Sequence, residues 1–321
     1  MLVARTAAPE TFEPLTAAKF ENQESTSKIQ VTGKAAAPLA SGVVAVRLAF
    51  HNGPAGANIY REIILTGKPS TMPSRESPPK ELPLAGENFL VEGHAAFLIP
   101  AKLAPESGGK PWVWYAPTLP NLPAVEERWM FEQFQKAGIA IAGVDVGESY
   151  GSPAGREIFT AFYTEMTTRR GFAAKPVMLG RSRGGLMTLS WAADNADKIA
   201  GWAGIYPVSN LESYPGLAQA AGAYGFQPDE MAAHLKEHNP IDRLATLAKA
   251  GVPLFAIHGD ADEVVPLEAN SRVLVDRYRA LGGKAELIIA PKQGHNMWDG
   301  FFQCPELVDF VKSHATPPAK P

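Results

Sequence analysis

The chain has 321 residues, a net charge of −3, and 45% hydrophobic residues. This balance gives no basis for nucleic-acid binding or for attraction to an anionic membrane surface. Its apolar runs are shorter than the ~18 residues that a membrane-spanning helix needs, and no apolar segment follows Met1–Arg5 as it would in a signal peptide. The single cysteine, Cys304, excludes an internal disulfide, and no zinc motif such as HExxH occurs. We therefore expect no membrane span, no metal and no cofactor, and the compartment and oligomeric state stay open.

The N-terminal part, residues 1–84, is predicted to be an extension with few regular elements. Residues 1–40 are rich in Ala and Thr with weak periodicity, and are predicted to be irregular. Two stretches rich in apolar residues, 41–50 and 59–65, predict strands. Residues 67–83 hold five prolines, which is typical of a loop or linker.

Residues 85–315 are predicted to form one α/β domain. Residues 88–91 and 94–99 predict a β-hairpin. From Trp112 onward apolar runs alternate with helical stretches, which predicts a mostly parallel sheet with helices on both faces. A short cap insertion is predicted at 207–251. The predicted helices are 126–137, 156–169, 227–238, 241–250, 268–281 and one that starts after residue 183.

The most informative motif is Gly180-Arg181-Ser182-Arg183-Gly184-Gly185, which contains the pattern G-x-S-x-G. It follows an apolar strand and precedes a helical stretch. In a strand-turn-helix of this kind the serine adopts a strained backbone conformation and points out of the sheet edge, and side chains in place of the glycines would collide. Ser182 is therefore a candidate nucleophile, provided that an acid and a base follow it in the chain.

An acid and a base do follow, in that order. A predicted buried strand, Val252–Ile257, leads into a loop with Asp260, Asp262 and Glu263, and a further strand precedes His295. One helix and one strand fit between Asp262 and His295, so both side chains can reach one sheet edge. The other acids of the loop compete with Asp262 for the same role. His258 is predicted to be structural, with a hydrogen bond to the backbone at a strand end.

These motifs resemble those of the α/β-hydrolase superfamily. The run His258-Gly259-Asp260-Ala261-Asp262-Glu263-Val264-Val265-Pro266 is similar to the H-G-x-x-D-x-x-V-P loop of the dienelactone-hydrolase and prolyl-oligopeptidase branch. The strand Pro111–Trp114, the loop Asp145–Pro153 and the turn Ser182–Gly185 resemble those of bacterial hydrolases with an S-R-G-G elbow. The resemblance covers residues 85–313. It implies a Ser182, His295 and Asp262 triad.

An ester-cleaving triad also needs donors for the oxyanion of the tetrahedral intermediate. The backbone N–H of Arg183 is one candidate, because it follows the nucleophile at the start of a helix. The second is predicted in the loop after the strand Trp112–Tyr115, at Thr118 or Leu119, with Tyr115 and Ala116 as alternatives. Pro117 has no N–H.

Charged and aromatic residues around the elbow are predicted to contact substrate. Arg181 and Arg183 flank Ser182, and the Ser182-Arg183 pair resembles that of glucuronoyl esterases, in which the arginine side chain assists the oxyanion. The alternative for Arg183 is a buried ion pair with Glu148 or Asp145. Glu148 and Tyr150 lie after a predicted central strand, at the sheet edge where α/β proteins bind ligands.

The sequence therefore predicts a serine hydrolase that cleaves carboxylic esters through a Ser-His-Asp triad and an acyl-enzyme. The expected partner is a small-molecule or carbohydrate ester, with a carbohydrate or aromatic esterase as the favoured class. Two other classes stay open. One is a serine peptidase of the prolyl-oligopeptidase type, and the other is a binding protein that retains the fold without the reaction.

Overall fold

The structure is a computed structural model. It describes residues 80–102, 109–119 and 121–315, together with four strands at 2–5, 12–14, 43–50 and 59–66. The chain divides into two compact units, Met1–Glu76 and Ser77–Pro321.

The first unit contains a four-stranded antiparallel sheet in the order β2-β1-β3-β4. Its strands are β1 (Leu2–Arg5), β2 (Phe12–Pro14), β3 (Val43–Phe50) and β4 (Ile59–Thr66). β3 and β4 confirm the two predicted strands. β1 and β2 correct, for the residues that they contain, the prediction that residues 1–40 are irregular, and the rest of that range lies outside the described residues. Both strands are too short for a periodic pattern, and β1 gains its regular structure by pairing with β3, which lies about forty residues further along the chain.

The second unit contains an eight-stranded sheet in the order β12-β11-β10-β9-β7-β8-β6-β5. β5 and β6 form the predicted hairpin, β6 is antiparallel to β8, and the other neighbours are parallel. The strands are β5 (Glu87–Val91), β6 (His94–Ile99), β7 (Trp112–Ala116), β8 (Ala140–Val144), β9 (Val177–Arg181), β10 (Gly201–Ile205), β11 (Leu254–Gly259) and β12 (Ala285–Ala290). This mostly parallel sheet with helices confirms the predicted α/β-hydrolase fold class.

The helices of this unit lie between the parallel strands, except that α9 and α10 follow the last strand. They are α1 (Arg128–Lys136), α2 (Pro153–Thr164), α3 (Gly184–Asp194), α4 (Leu217–Tyr224), α5 (Pro228–Ala233), α6 (Leu235–His238), α7 (Ala245–Lys249), α8 (Val273–Ala280), α9 (Asp299–Phe302) and α10 (Pro305–Ala315). A π-helical turn extends α2 at its end, and another precedes α8. Within the described residues, no helix is both long enough and apolar enough to cross a membrane.

The predicted cap is where pattern and structure differ most. The predicted helix 227–238 is split into α5 and α6 at His234, whose φ of −102° and ψ of 10° leave the helical region. The ring of His234 stacks on Phe226 with a centroid distance of 4.5 Å. Of the predicted helix 241–250, only α7 is α-helical. In these short segments, contacts inside the cap therefore determine where the helices end, and the helical periodicity of the sequence does not.

The parallel sheet has an apolar core on each face. Side chains alternate along each strand, so Trp112 and Trp114 of β7 join one core while Val113 and Tyr115 join the other. α3 is buried over nearly its whole length. Sheet strands buried on both faces are rigid supports, and the loops that follow β7, β9, β10, β11 and β12 meet at their carboxyl ends, where the candidate site lies.

Candidate active site at the carboxyl edge of the sheet

Ser182 lies on the sharp turn between β9 and α3, with φ of 50°. A non-glycine residue in this left-handed region is strained, and the surrounding packing maintains it. The adjoining glycines leave room for the turn. A Cβ on Gly180 would lie 2.8 Å from Thr188 Oγ1, and one on Gly184 would lie 2.1 Å from the carbonyl oxygen of Ala116. The expected elbow geometry is therefore present.

Ser182, His295 and Asp262 form a continuous hydrogen-bonded series. Ser182 Oγ lies 2.9 Å from His295 Nε2, and His295 Nδ1 lies 2.8 Å from Asp262 Oδ2. An ionised carboxylate only accepts, so His295 donates its Nδ1–H to Asp262, and the neutral imidazole then accepts the Ser182 hydroxyl proton at Nε2. This arrangement can remove a proton from the serine hydroxyl.

Asp262 is ionised and tightly bound in its loop. Its Oδ1 accepts the backbone N–H groups of Val264 at 3.0 Å and Val265 at 2.8 Å, and its Oδ2 lies 3.3 Å from His258 Nε2. Burial acts to raise the pKa of Asp262, but the hydrogen bonds from His258, His295 and Val265 outweigh burial and lower the pKa well below its ordinary value. Asp262 is thus a permanent negative charge behind His295.

The two competing acids of this loop lie elsewhere. Asp260 accepts the backbone N–H of Lys292 at 2.5 Å, and Glu263 is exposed. Asp262 is the acid of the three that contacts His295. His258 is fully buried, with Nε2 2.8 Å from the carbonyl oxygen of Val265 and Nδ1 2.7 Å from Ser271 Oγ. The prediction that His258 is a structural residue bonded to backbone is confirmed.

Tyr206 is a site residue that the sequence analysis missed. It directly follows β10, has φ of 33°, is fully buried, and places its ring 4.3 Å from that of His295, centroid to centroid. Burial raises the pKa of Tyr206 to about 12, so the phenol stays neutral. Its position at a strand end, as for Ser182 and Asp262, is the signal that could have identified it.

Arg181 is held by protein groups. Its guanidinium donates to Glu127 Oε1 at 2.5 Å, to Tyr206 Oη at 3.2 Å and to Met297 Sδ at 2.9 Å. Burial alone would lower the pKa of Arg181, but Tyr115 and Glu127 raise it above its ordinary value. Glu127 also accepts the Tyr115 hydroxyl at 2.8 Å. The side chain of Arg181 is only 9% exposed, and its contact with substrate stays a prediction.

The Arg183 side chain forms an ion pair with Glu148. This is one of the two alternatives left open by the sequence. Both partners are partly exposed, at 32% and 41% of their side-chain area, so the pair lies at the surface. Tyr150 is turned into the protein, where it is 7% exposed and its hydroxyl accepts from Gln219 Nε2 at 3.0 Å. The ring packs in the apolar core beneath the cap, and the substrate contact of Tyr150 stays a prediction.

The two predicted oxyanion segments lie beside each other. The carbonyl oxygen of Ala116 faces Gly184, which is the second residue after the nucleophile. Arg183 precedes α3, so its backbone N–H lies at the positive end of that helix. Thr118 is 2% exposed. Assignment of Arg183, Thr118 and Leu119 as oxyanion donors stays a prediction. Among the residues that the structure describes, no cluster of His, Cys, Asp and Glu could hold a metal ion.

The sheet topology is that of the α/β-hydrolase fold, and the hydrogen-bonded Ser-His-Asp series is an arrangement that serine hydrolases use. Residues 161–313 match the prolyl oligopeptidase family, Peptidase_S9. This segment, slightly less than half of the chain, is therefore similar to that family, and the resemblance stated from the motifs is confirmed. No curated protein matches the chain.

Three of the solved structures with a similar fold are larger peptidases. Dipeptidyl peptidase 4 of Porphyromonas gingivalis matches at 16% identity and a TM-score of 0.57, over 72% of this chain and 35% of that one. A puromycin-hydrolyzing peptidase of Mycobacterium tuberculosis matches at 17% identity and a TM-score of 0.59. The match covers 86% of this chain and 47% of that one. Pyrococcus horikoshii acylaminoacyl peptidase matches at 16% identity and a TM-score of 0.59. The match covers 74% of this chain and 42% of that one. The chain spans less than half the length of each, and at these identities the similarity concerns the fold alone.

Proposed function

We propose that this protein hydrolyses carboxylic esters through an acyl-enzyme on Ser182. The observation that carries the proposal is the series Ser182–His295–Asp262, with contacts of 2.9 Å and 2.8 Å on a strained elbow. A serine hydroxyl is a weak nucleophile unless a positioned base takes its proton, and an orienting acid keeps the base in the correct tautomer.

The reaction proceeds in two halves. His295 Nε2 takes the Ser182 proton as Oγ attacks the ester carbonyl, and Asp262 stabilises the imidazolium that forms. His295 then gives this proton to the alcohol oxygen as the ester C–O bond breaks. In the second half His295 takes a proton from water as the water oxygen attacks the acyl carbonyl. The same proton then passes to Ser182 Oγ as the bond between Oγ and the acyl carbon breaks, which releases the carboxylic acid. Each half passes through an oxyanion, for which Arg183 N–H and the loop after β7 are the proposed donors.

The two acidic side chains that pair with the arginines beside Ser182 offer no free carboxylate to the ammonium group of a peptide N-terminus. Recognition of a substrate ammonium group needs a carboxylate that is available to it. Glu148 is paired with Arg183, and Glu127 is buried with Arg181. An alkoxide is also a better leaving group than an amide anion, so a triad needs less help from protonation of the leaving group to cleave an ester than to cleave a peptide.

We propose an aromatic or carbohydrate ester as the substrate. Met297 and Trp298 closely follow His295 and expose 47% and 42% of their surface. An exposed tryptophan offers a flat apolar face to an aryl or sugar ring. Arg181 and Arg183 are both paired with carboxylates, so they no longer support an acidic sugar.

A serine peptidase of the prolyl-oligopeptidase type is the second candidate. The match of residues 161–313 to that family favours it. The same triad would then act on an amide, and His295 would protonate the leaving amine.

One panel separates the two candidates. Turnover of p-nitrophenyl acetate, methyl uronate esters, feruloyl esters and X-Pro anilides is measured for wild type, Ser182→Ala and Ser209→Ala. The matched control is Ser209, whose buried hydroxyl has no hydrogen-bond partner in the described structure. We expect ester turnover in wild type and Ser209→Ala only. Cleavage of anilides alone would replace the ester proposal with the peptidase, and full turnover by Ser182→Ala would refute the triad.

A further inference from the structure

A buried lysine outside the triad contacts the loop that follows β7. Lys80 precedes β5 and is 7% exposed. Its backbone is fastened to β5, because its N–H donates to Asn88 Oδ1 at 3.1 Å and its carbonyl oxygen accepts from Asn88 Nδ2 at 3.1 Å. The side chain therefore starts from a fixed point next to the sheet, although residues 67–83 read as a linker in the sequence.

The ammonium group of Lys80 binds three backbone carbonyls of one loop. Nζ donates to the carbonyl oxygens of Thr118, of Leu119 at 2.7 Å and of Leu122 at 3.3 Å. An ammonium group has three N–H donors, so each carbonyl can receive one. Burial lowers the pKa of Lys80, and the nearby Asp145 carboxylate raises it. A buried charge is costly unless it is bonded, and these contacts offset much of that cost.

This loop is the one in which a second oxyanion donor is predicted. It lies against the elbow, since a Cβ on Gly184 would be 2.1 Å from the carbonyl oxygen of Ala116. In a trans peptide the C=O and the following N–H point in opposite directions. A Thr118 carbonyl that points at Lys80 therefore turns the Leu119 N–H away from Lys80, which fixes the orientation of one candidate donor.

We infer that Lys80 is a positioning residue for the oxyanion site. It holds the Ala116–Leu119 segment in place through carbonyls, so that an amide N–H of this segment meets the oxyanion formed on Ser182. The inference rests on the proposed hydrolysis at Ser182. It adds a residue that lies outside the family match at 161–313.

The test replaces the ammonium with an apolar side chain of similar length in the full chain. Lys80→Met is compared with wild type on p-nitrophenyl acetate and in inhibition by phenylboronic acid, whose tetrahedral adduct with Ser182 mimics the oxyanion. Displacement of a catalytic group by about 1 Å can cost on the order of 100-fold. We expect kcat to fall ~10- to 100-fold, KM to stay within about twofold, and the boronate inhibition constant to rise by a similar factor.

The matched control is Lys110→Met. Lys110 Nζ donates to a single carbonyl, that of Arg170, at an exposed position, so we expect unchanged kinetics. If Lys80→Met does not fold, Asn88→Ala serves as a second variant. It removes the side chain that holds the Lys80 backbone but keeps Lys80 itself, and it should show the same kinetic pattern more weakly.

The outcomes are distinct. Variants that lower the melting temperature but keep kcat and boronate inhibition within twofold of wild type would limit Lys80 to a structural role and overturn the inference alone. A wild-type protein that turns over neither esters nor anilides would overturn the proposed function, and the inference with it.

Discussion

The ring of Tyr206 lies against the ring of His295, with centroids 4.3 Å apart and planes inclined at 54°. Tyr206 is fully buried and its far end accepts a hydrogen bond from Arg181. The proposed base is therefore fixed on two sides, by Asp262 through Nδ1 and by the tyrosine ring through its face.

This contact predicts a requirement for a ring at position 206. Tyr206→Leu should lower kcat about 10-fold, because His295 gains freedom to leave its alignment with Ser182. Tyr206→Phe keeps the ring and should stay within about threefold of wild type. The matched control is Tyr278→Leu, since Tyr278 is equally buried but bonded to Val252, and it should lose stability with kcat per folded molecule unchanged. Equal kcat for all three variants would contradict the role of Tyr206.

The acid loop predicts a sharp difference between two aspartates. Asp262→Asn should lower kcat by about 10⁴-fold, because an amide in place of the carboxylate can favour the wrong His295 tautomer. Asp260→Asn is the control, since the Asp260 carboxylate accepts from the backbone N–H of Lys292 and from no other group among the described hydrogen bonds. It should retain kcat within a few-fold. The measurement is steady-state kinetics with the ester that wild type turns over fastest. A larger loss of kcat in Asp260→Asn than in Asp262→Asn would assign the role of the acid to Asp260.

Asp262 also predicts a pH dependence of stability. Its pKa in the folded protein lies below the value of 3.8 for a free aspartate. Stability from this group is therefore complete above about pH 5 and is lost as the pH falls through 3.8 and below. We expect the free energy of unfolding of wild type to fall more steeply between about pH 5 and pH 2 than that of Asp262→Asn. Parallel curves in denaturant titrations across this range would contradict the ionised, hydrogen-bonded carboxylate.

The surface pair Arg183–Glu148 predicts a minor role for the Arg183 side chain in the reaction. Arg183→Gln keeps the backbone N–H and should retain kcat within about fivefold. Glu148→Gln frees the guanidinium and should lower KM for esters that carry a carboxylate, while neutral esters are unaffected. A loss of 100-fold or more in Arg183→Gln would instead show that the side chain reaches the oxyanion, as in the glucuronoyl esterase pair.

The buried pair Arg181–Glu127 predicts a large effect on stability. Its atoms are 2.5 Å apart, with side-chain exposures of 9% and 0%. Glu127→Gln leaves a buried cation without its counter-charge and should cost about 3–5 kcal/mol in the free energy of unfolding. Glu132→Gln is the control. It breaks the exposed Arg128–Glu132 pair and should cost less than about 1 kcal/mol. Chemical denaturation of both variants decides between these values.

The sequence was sufficient to predict the triad, because local chemistry and sheet topology point to the same three residues. Ser182, Asp262 and His295 each follow a strongly apolar strand, and parallel strands bring their following loops to one edge. A position at the end of a strand does not, however, predict the direction in which a side chain points. Arg181 ends β9 and its side chain enters the interior, where Glu127 from the start of α1 meets it. Neither residue alone signals this pairing, since it depends on how α1 packs on the sheet.

Other parts of the site depend on contacts between residues distant in the chain. Lys80 stands among prolines in a stretch with the composition of a linker, and its role follows from a loop almost forty residues later. The split of the cap helix at His234 likewise follows from the stacking of His234 on Phe226. Periodicity describes one segment at a time, so it does not report such contacts.

The Arg181–Glu127 pair also constrains how this site can change during evolution. Replacing either residue alone leaves a buried charge without a partner next to the nucleophile, whereas replacing both by neutral side chains does not. The two positions should therefore covary among relatives of this chain, with a neutral residue at 127 wherever position 181 is neutral. Single replacements should be found only where another acid has moved into the interior beside the elbow.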